Sequence, residues 1–275
     1  MSRPGLVIFD CDGVLIDSEL IACRVDADCL TEIGFPTTAE FIQENFVGVS
    51  SRVMFERIER EHGRKLPADF PARLQVRLNA AFDDELEAIA GVADMLPALG
   101  MKTCVASSSH PERLRHTLGV TGLWSHFAPH VFSATMVRNG KPAPDLFLYA
   151  AEKMGARPRD CVVVEDSRAG VAAGRAAGMR VLGFTGGSHC APGQTEMLRA
   201  AGAHAGAAVL DHDAVARCGI HAAGRVKEEI RRRLAVRDHR RTEDMRREMR
   251  PKAGDAERVV QPLGLAAGGN ADLYS

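Results

Sequence analysis

The stretch Leu6-Val7-Ile8-Phe9-Asp10-Cys11-Asp12-Gly13 decides how the rest of the chain is read. Four consecutive apolar residues stopped by a polar, glycine-ended turn predict a short strand buried on both faces that opens into a loop. Comparable runs return at Lys102–Ala106, His130–Ser133, Cys161–Val164 and Met179–Phe184. Between them, Gly91–Leu99, Pro111–Leu118, Pro144–Met154 and Ser167–Ala177 have helical patterning. Strands alternating with helices at this spacing predict an α/β fold, a Rossmann-like, doubly wound parallel sheet covered on both faces.

The first two strands are far apart, and the residues between them are helical in period. Leu20, Ile21, Val25 and Leu30, then Phe41, Ile42 and Phe46, then Val53, Phe55 and Ile58, then Leu74, Leu78, Phe82 and Leu86 fall at helix spacings, with Gly34, Pro36 and Gly63 as breaks. The expected organisation is a discontinuous core of residues 1–17 and 91–210 and an all-helical cap domain inserted at 18–90. Residues 211–275 are expected to form a basic C-terminal extension, helical at first and then disordered. Gly170, Gly174 and Gly178 lie four apart, a stripe that would let their helix sit close on the sheet.

Composition narrows the class. With 275 residues and 45% hydrophobic, the chain is long enough to bury a core without disulfides or a structural metal. Seven cysteines, odd in number and without a C-x-x-C pair, predict a reduced, cytoplasmic protein. No leader and no apolar run of membrane-spanning length is expected. The net charge of −1 hides an asymmetry: residues 222–252 carry twelve basic and six acidic side chains, so +6 there stands against −7 elsewhere. These basic residues alternate with acids and lack interleaved aromatics, so nucleic acid is not an expected partner.

Chemistry concentrates where predicted strands end. Asp10 and Asp12 follow the first strand, and Glu165 and Asp166 follow Cys161–Val164. In an open parallel sheet these ends face one crevice. Clustered carboxylates there call for a hard cation with oxygen ligands, Mg²⁺ above all. Ser107-Ser108-Ser109 ends another strand with hydroxyls and N–H groups suited to phosphate oxygens. Lys141, set before Pro142-Ala143-Pro144, supplies a point cation.

These four clusters resemble the four motifs of the haloacid dehalogenase-like superfamily. Phe9–Glu19 resembles the first, Val105-Ala106-Ser107 the second, Lys141-Pro142 the third and Val164-Glu165-Asp166-Ser167 the fourth, and the resemblance covers about residues 5–205. Within it the chain is similar to the helical-cap group of β-phosphoglucomutases, 6-phosphogluconate phosphatases and CbbY-like sugar-phosphate phosphatases. Phe82–Gly91 resembles the 6-phosphogluconate phosphatase type.

The resemblance implies a phosphatase acting on a small sugar phosphate or sugar-acid phosphate through an aspartyl-phosphate. It makes Asp10 the nucleophile and Asp12 the general acid/base, with Asp12 the more basic of the two. Mg²⁺ would be held by Asp10, the Asp12 backbone carbonyl and Asp166, with Glu165 either on the ion or one hydrogen bond behind it. Ser107, Ser108 and Lys141 would grip the phosphoryl oxygens, and Gly48, Arg52 and His110 are candidates for contacting the leaving group. Arg24 is a further candidate, though a solvated role suits it better. A monomer is expected from the family.

Two departures matter. Dehalogenases lack the second Asp of the first motif, so Asp12 argues for phosphoryl transfer. β-Phosphoglucomutases place a cap His five residues beyond the last Asp of that motif, where this chain has Ala22, which makes a phosphomutase the second choice. A receiver-like phospho-acceptor switch uses similar ingredients, but its acceptor follows a later strand and no helical block interrupts its sheet.

Overall fold

The computed structural model describes residues 5–204. The expected basic extension at 211–275 lies outside the described residues. Five strands, β1 (Leu6–Phe9), β2 (Lys102–Ser107), β3 (Val131–Ser133), β4 (Cys161–Glu165) and β5 (Arg180–Gly183), form one parallel sheet in the order β3-β2-β1-β4-β5. β1 is central, with Phe9 level with Val105 on one side and Val164 on the other. The chain leaves β1 towards β2 and β3, then crosses to β4 and β5. This reversal opens a crevice at the carboxyl ends of β1 and β4.

The central strand is four apolar residues because both faces of the sheet are covered. Leu6 and Ile8 share a core with Cys104, Phe147 and Val163. Val7 and Phe9 point the other way, where Val105, Leu114, Phe127 and Val164 complete the layer. Helices α5 (Val92–Leu99), α6 (Pro111–Val120), α7 (Trp124–Phe127), α8 (Asp145–Lys153), α9 (Arg168–Ala176) and α10 (Gln194–Ala200) connect or follow the strands.

The glycine stripe has two different causes. On α9, an added Cβ at Gly174 would stand 2.6 Å from Val181 Cγ2 of the sheet, so close packing does explain Gly174. Gly178 instead takes a φ of +73° after the helix and has open space around it. Its role is the left-handed turn that ends the helix.

Helices α1 (Glu19–Glu32), α2 (Ala39–Phe46), α3 (Ser51–His62) and α4 (Phe70–Glu85) occupy the interval between β1 and α5, and no strand interrupts them. Leu30, Ile42, Phe46, Met54, Ile58, Phe70, Leu74, Leu78 and Phe82 are among their buried residues, and Phe35 is buried in the link between α1 and α2. The segments entering and leaving this insertion touch: Ile16 bridges Ala88, Asp17 N donates to Glu87 O at 3.0 Å and Ile89 N to Leu15 O at 2.9 Å. That short antiparallel contact fixes where the helical block joins the sheet.

Candidate active site

The loop after β1 is wound tightly. Leu15 N and Ile16 N both donate to Cys11 O, at 2.9 and 3.2 Å, and Gly13 adopts a φ of +76°. Asp10 N still donates to Val164 O at 3.0 Å, so Asp10 is held as an extension of the sheet. Its carboxylate meets those of β4: Asp10, Glu165 and Asp166 each bring one oxygen to within 4.8 Å of the others. All three are buried or nearly so.

Lys141 is what makes this concentration of negative charge tolerable. Its ammonium lies 2.7 Å from Asp10 Oδ1 and 2.6 Å from Glu165 Oε1, with the side chain only 4% exposed. Burial works against its charge, but the two carboxylates hold its pKa above the usual lysine value. Glu165 has both oxygens engaged, since Oε2 accepts from Ser167 N at 2.8 Å and Ser167 Oγ at 2.9 Å. It therefore orients Lys141 and the start of α9.

Gly170 permits that arrangement. A Cβ at this position would fall 1.7 Å from Glu165 Oε1. We predict that Gly170→Ala, normally favourable inside a helix, destabilises the protein by at least the upper end of the roughly 1–3 kcal/mol typical of overpacking. Thermal unfolding measures it; a melting temperature equal to wild type would refute the close approach.

The two aspartates of the first motif sit in opposite surroundings. Burial pushes the Asp10 carboxyl well above its usual range; Lys141 draws it down, and Glu165 and Asp166 raise it again. Asp12 is also opposed by burial, yet it ends below the usual value through Arg113, Ser109 and Ser18. Ser18 Oγ donates to its Oδ1 at 2.8 Å, Ser109 Oγ to its Oδ2 at 2.7 Å, and Arg113 Nη2 lies 3.4 Å from Oδ1. The expectation that Asp12 is the more basic is therefore reversed among the protein's own groups. Three donors surround Asp12, whereas Asp10 is crowded by carboxylates.

The serine triplet divides by direction. Ser107 is buried and its Oγ accepts from Ser109 N at 3.1 Å, Ser109 turns its hydroxyl onto Asp12, and Ser108 is exposed. Ser133 Oγ supports the turn by donating to Ser109 O at 2.7 Å. His110 is exposed at the start of α6.

Among the candidate leaving-group contacts, Gly48 does reach the core, since a Cβ there would lie 3.5 Å from Ser167 Cβ. Arg52 does not join the cluster. It is 76% exposed and pairs with Glu56 at 2.6 Å along α3. Arg24 likewise pairs with Glu85 at 2.7 Å on the exterior.

Three residues near the crevice, Arg113, Glu19 and His189, escaped sequence reasoning as site members, and Ser109, expected to face phosphate oxygens, turns onto Asp12. Ser109 and Arg113 hold Asp12, and Arg113 also rests over the Phe82 ring, 5.1 Å from its centroid. Glu19, at the start of α1, is pushed up to about 7 by burial and by Asp12 and Asp166. His189 places Nε2 2.9 Å from Asp166 Oδ2. Burial opposes its charge, but bonding to Asp166 and Cys190 lifts its pKa to about 10.

The donor set fits a hard divalent cation. Three carboxylate oxygens converge, no sulfur or imidazole nitrogen belongs to the converging set, and Gly13 has no Cβ where one would stand 2.2 Å from Asp166 Oδ2. The six cysteines among the described residues are unpaired. No helix there is long and apolar enough to cross a membrane.

Known proteins similar to this chain match most of its described residues. The family model for haloacid dehalogenase-like hydrolases matches residues 4–178. 6-Phosphogluconate phosphatase of Escherichia coli is 34% identical over 195 residues, 70% of this chain and 87% of that protein. A haloacid dehalogenase-like protein from Agrobacterium tumefaciens superposes with a TM-score of 0.65 at 40% identity, covering 73% of this chain and 91% of that one. A family hydrolase from Deinococcus radiodurans, solved with bound phosphate and sodium, gives 0.61 at 35% identity, covering 74% and 90%. With four motifs converging on one crevice and this extent of similarity, the chain belongs to the haloacid dehalogenase-like hydrolase family.

Proposed function

We propose that this chain, an enzyme of the phosphatase branch of its family, hydrolyses a small sugar phosphate or sugar-acid phosphate through an aspartyl-phosphate on Asp10. The observation that carries the reading is the pairing of two unlike carboxylates: Asp10, locked to the sheet among Lys141, Glu165 and Asp166, and Asp12, held by Ser18, Ser109 and Arg113. A nucleophile needs a fixed position, and a general acid/base needs a site that substrate charge can retune.

Asp10 Oδ attacks phosphorus, forming the O–P bond as the ester oxygen departs. Asp12 gives that oxygen its proton and later takes one from the water that attacks the aspartyl-phosphate, so one residue serves both halves. A phosphate dianion in the crevice brings the negative charge that raises Asp12 towards protonation. Lys141 and the Ser107 hydroxyl hold the equatorial oxygens, and Ser108 is left with a backbone contribution at most.

Mg²⁺ would be held by Asp10, Asp166 and the Asp12 carbonyl, with Glu165 one hydrogen bond behind. A divalent cation bound there neutralises repulsion between carboxylates and phosphate and stabilises charge developing on the phosphoryl oxygens. Residues 18–90 would act as a cap over the crevice, residues 1–17 and 91–210 as the core. Gly48 would be the cap residue nearest the leaving group.

Phosphate release from a panel of sugar phosphates and sugar-acid phosphates, 6-phosphogluconate included, tests the proposal. We predict turnover with Mg²⁺ that stops on chelation and returns on readdition. No release from any ester contradicts it, and an isomerised sugar phosphate without free phosphate would establish a mutase instead.

A further inference from the structure

Asp166 is approached by a segment that belongs to none of the four motifs. Between β5 and α10 the chain runs Gly186-Gly187-Ser188-His189-Cys190, and His189 turns back into the protein with its side chain 2% exposed. Its Nε2 lies 2.9 Å from Asp166 Oδ2 and 3.7 Å from the neighbouring Cys190 Sγ. Its Nδ1 is buried and finds no partner among the described residues. Burying a ring with one unpartnered nitrogen lowers stability. The contact with Asp166 offsets part of that cost.

Two glycines make room for the ring. A Cβ on Gly13 would stand 2.7 Å from His189 Cε1, and one on Gly187 would stand 2.7 Å from both Cε1 and Nδ1. The backbone of Asp166 is held as well, because Gln194 Nε2 donates to its carbonyl oxygen at 2.7 Å. Side chain and main chain of one residue are thus fixed by two residues five apart in one loop and helix start.

The same segment is tied to the helical insertion. Ser188 donates to Asp17 Oδ1 through its N–H at 3.0 Å and its hydroxyl at 2.8 Å, where the chain enters the insertion. From α2, Gln43 Nε2 donates to the His189 carbonyl at 3.2 Å.

We propose that residues 186–194 form a strap in which His189 is a positioning residue for Asp166, and that Asp17 and Gln43 make the strap's seating depend on the helical insertion. A carboxylate with one oxygen held by a ring N–H presents the other in a defined direction, and partners of this kind typically change metal affinity by about 10–100-fold when removed. Docking of α2 then sets how well Asp166 is prepared for a cation, before any substrate chemistry. The inference rests on the reading of Asp166 as a cation ligand.

Mn²⁺ binding to the full-length protein without substrate, followed by the paramagnetic resonance signal of the free ion, tests the strap apart from turnover. Expected are a rise in Kd of about 10–100-fold for His189→Ala, partial recovery in His189→Gln, which keeps an N–H donor, and a smaller rise for Gln43→Ala. Thermal unfolding in chelator establishes that each variant is folded, and Gln43→Ala, which leaves the ring in place, keeps the test open if His189→Ala does not fold. Wild-type affinity in both His189→Ala and Gln43→Ala, alongside weakened binding in Asp166→Asn, overturns the strap. Wild-type affinity in Asp166→Asn overturns the ligand assignment beneath it.

Discussion

Asp10→Asn lowers kcat by about 10⁴-fold or more while leaving the melting temperature unchanged or raised. On the proposed mechanism the loss follows from removing the atom that would attack phosphorus, and knockouts of nucleophiles in covalent catalysis reach this size. The retained stability has a separate cause. Burial and the neighbouring Glu165 and Asp166 already disfavour the Asp10 charge, so a neutral group of the same shape relieves repulsion, although one Lys141 contact weakens. Steady-state phosphate release and thermal unfolding of the same preparation check both halves. Residual activity within tenfold of wild type would remove Asp10 from the chemistry.

Lys141→Met is the second large effect, and it acts on fold and chemistry together. The ammonium touches Asp10 and Glu165 at 2.7 and 2.6 Å in a site that is almost closed to water. Removing one member of a buried ion pair typically costs about 3–5 kcal/mol. At about 2–4 °C per kcal/mol for a chain of this size, the melting temperature should fall by roughly 10 °C. Catalysis should fall by about 10²–10³-fold, as when a donor to developing charge is lost.

The destabilisation carries a pH signature. Without Lys141, Asp10 loses the partner that draws its pKa down, so its folded value rises further above the unfolded one. The folded state then binds more protons than the unfolded state between those values, and its stability falls with rising pH. The gap in melting temperature between Lys141→Met and wild type should therefore narrow as pH drops through the raised Asp10 value. A gap that widens towards acid would show that Lys141 does not offset these carboxylates.

Much of this site could be read from the sequence because the relevant chemistry is local. A strand buried on both faces has to be a short apolar run, and the residue that ends it must face the crevice. Asp10, Ser107 and Glu165 were accessible on that ground alone. Lys141 was legible as a cation beside prolines, but its bridge between Asp10 and Glu165 forms only when β1 and β4 pair.

The residues that were missed reach the crevice through folding back. His189 lies well beyond Asp166 in sequence, within glycines and a serine that suggest only a loop. Arg113 sits among other charged residues of α6 and gains its meaning by crossing to Asp12 over Phe82. Ser109 was legible as part of the serine triplet but not its direction, which is set by the turn after β2, where its N–H donates to Ser107 Oγ and its hydroxyl to Asp12. Arg52 shows the opposite error, since an i,i+4 partner, Glu56, was present on its own helix to pair with it on the exterior.

The reversed order of Asp10 and Asp12 has a similar origin. Their spacing says that both border one crevice, but their acidities depend on Ser18, Ser109, Arg113, Glu165 and Asp166, which arrive from four other segments. Identical side chains two residues apart thus acquire different acidities from their surroundings.

The stereochemical course at phosphorus tests the central claim most directly. A phosphorothioate ester made chiral with oxygen isotopes, hydrolysed in isotopically labelled water, gives a chiral thiophosphate whose configuration can be assigned. Two successive in-line displacements, first by Asp10 and then by water, predict net retention; net inversion would mean direct attack by water and would contradict an aspartyl-phosphate on Asp10.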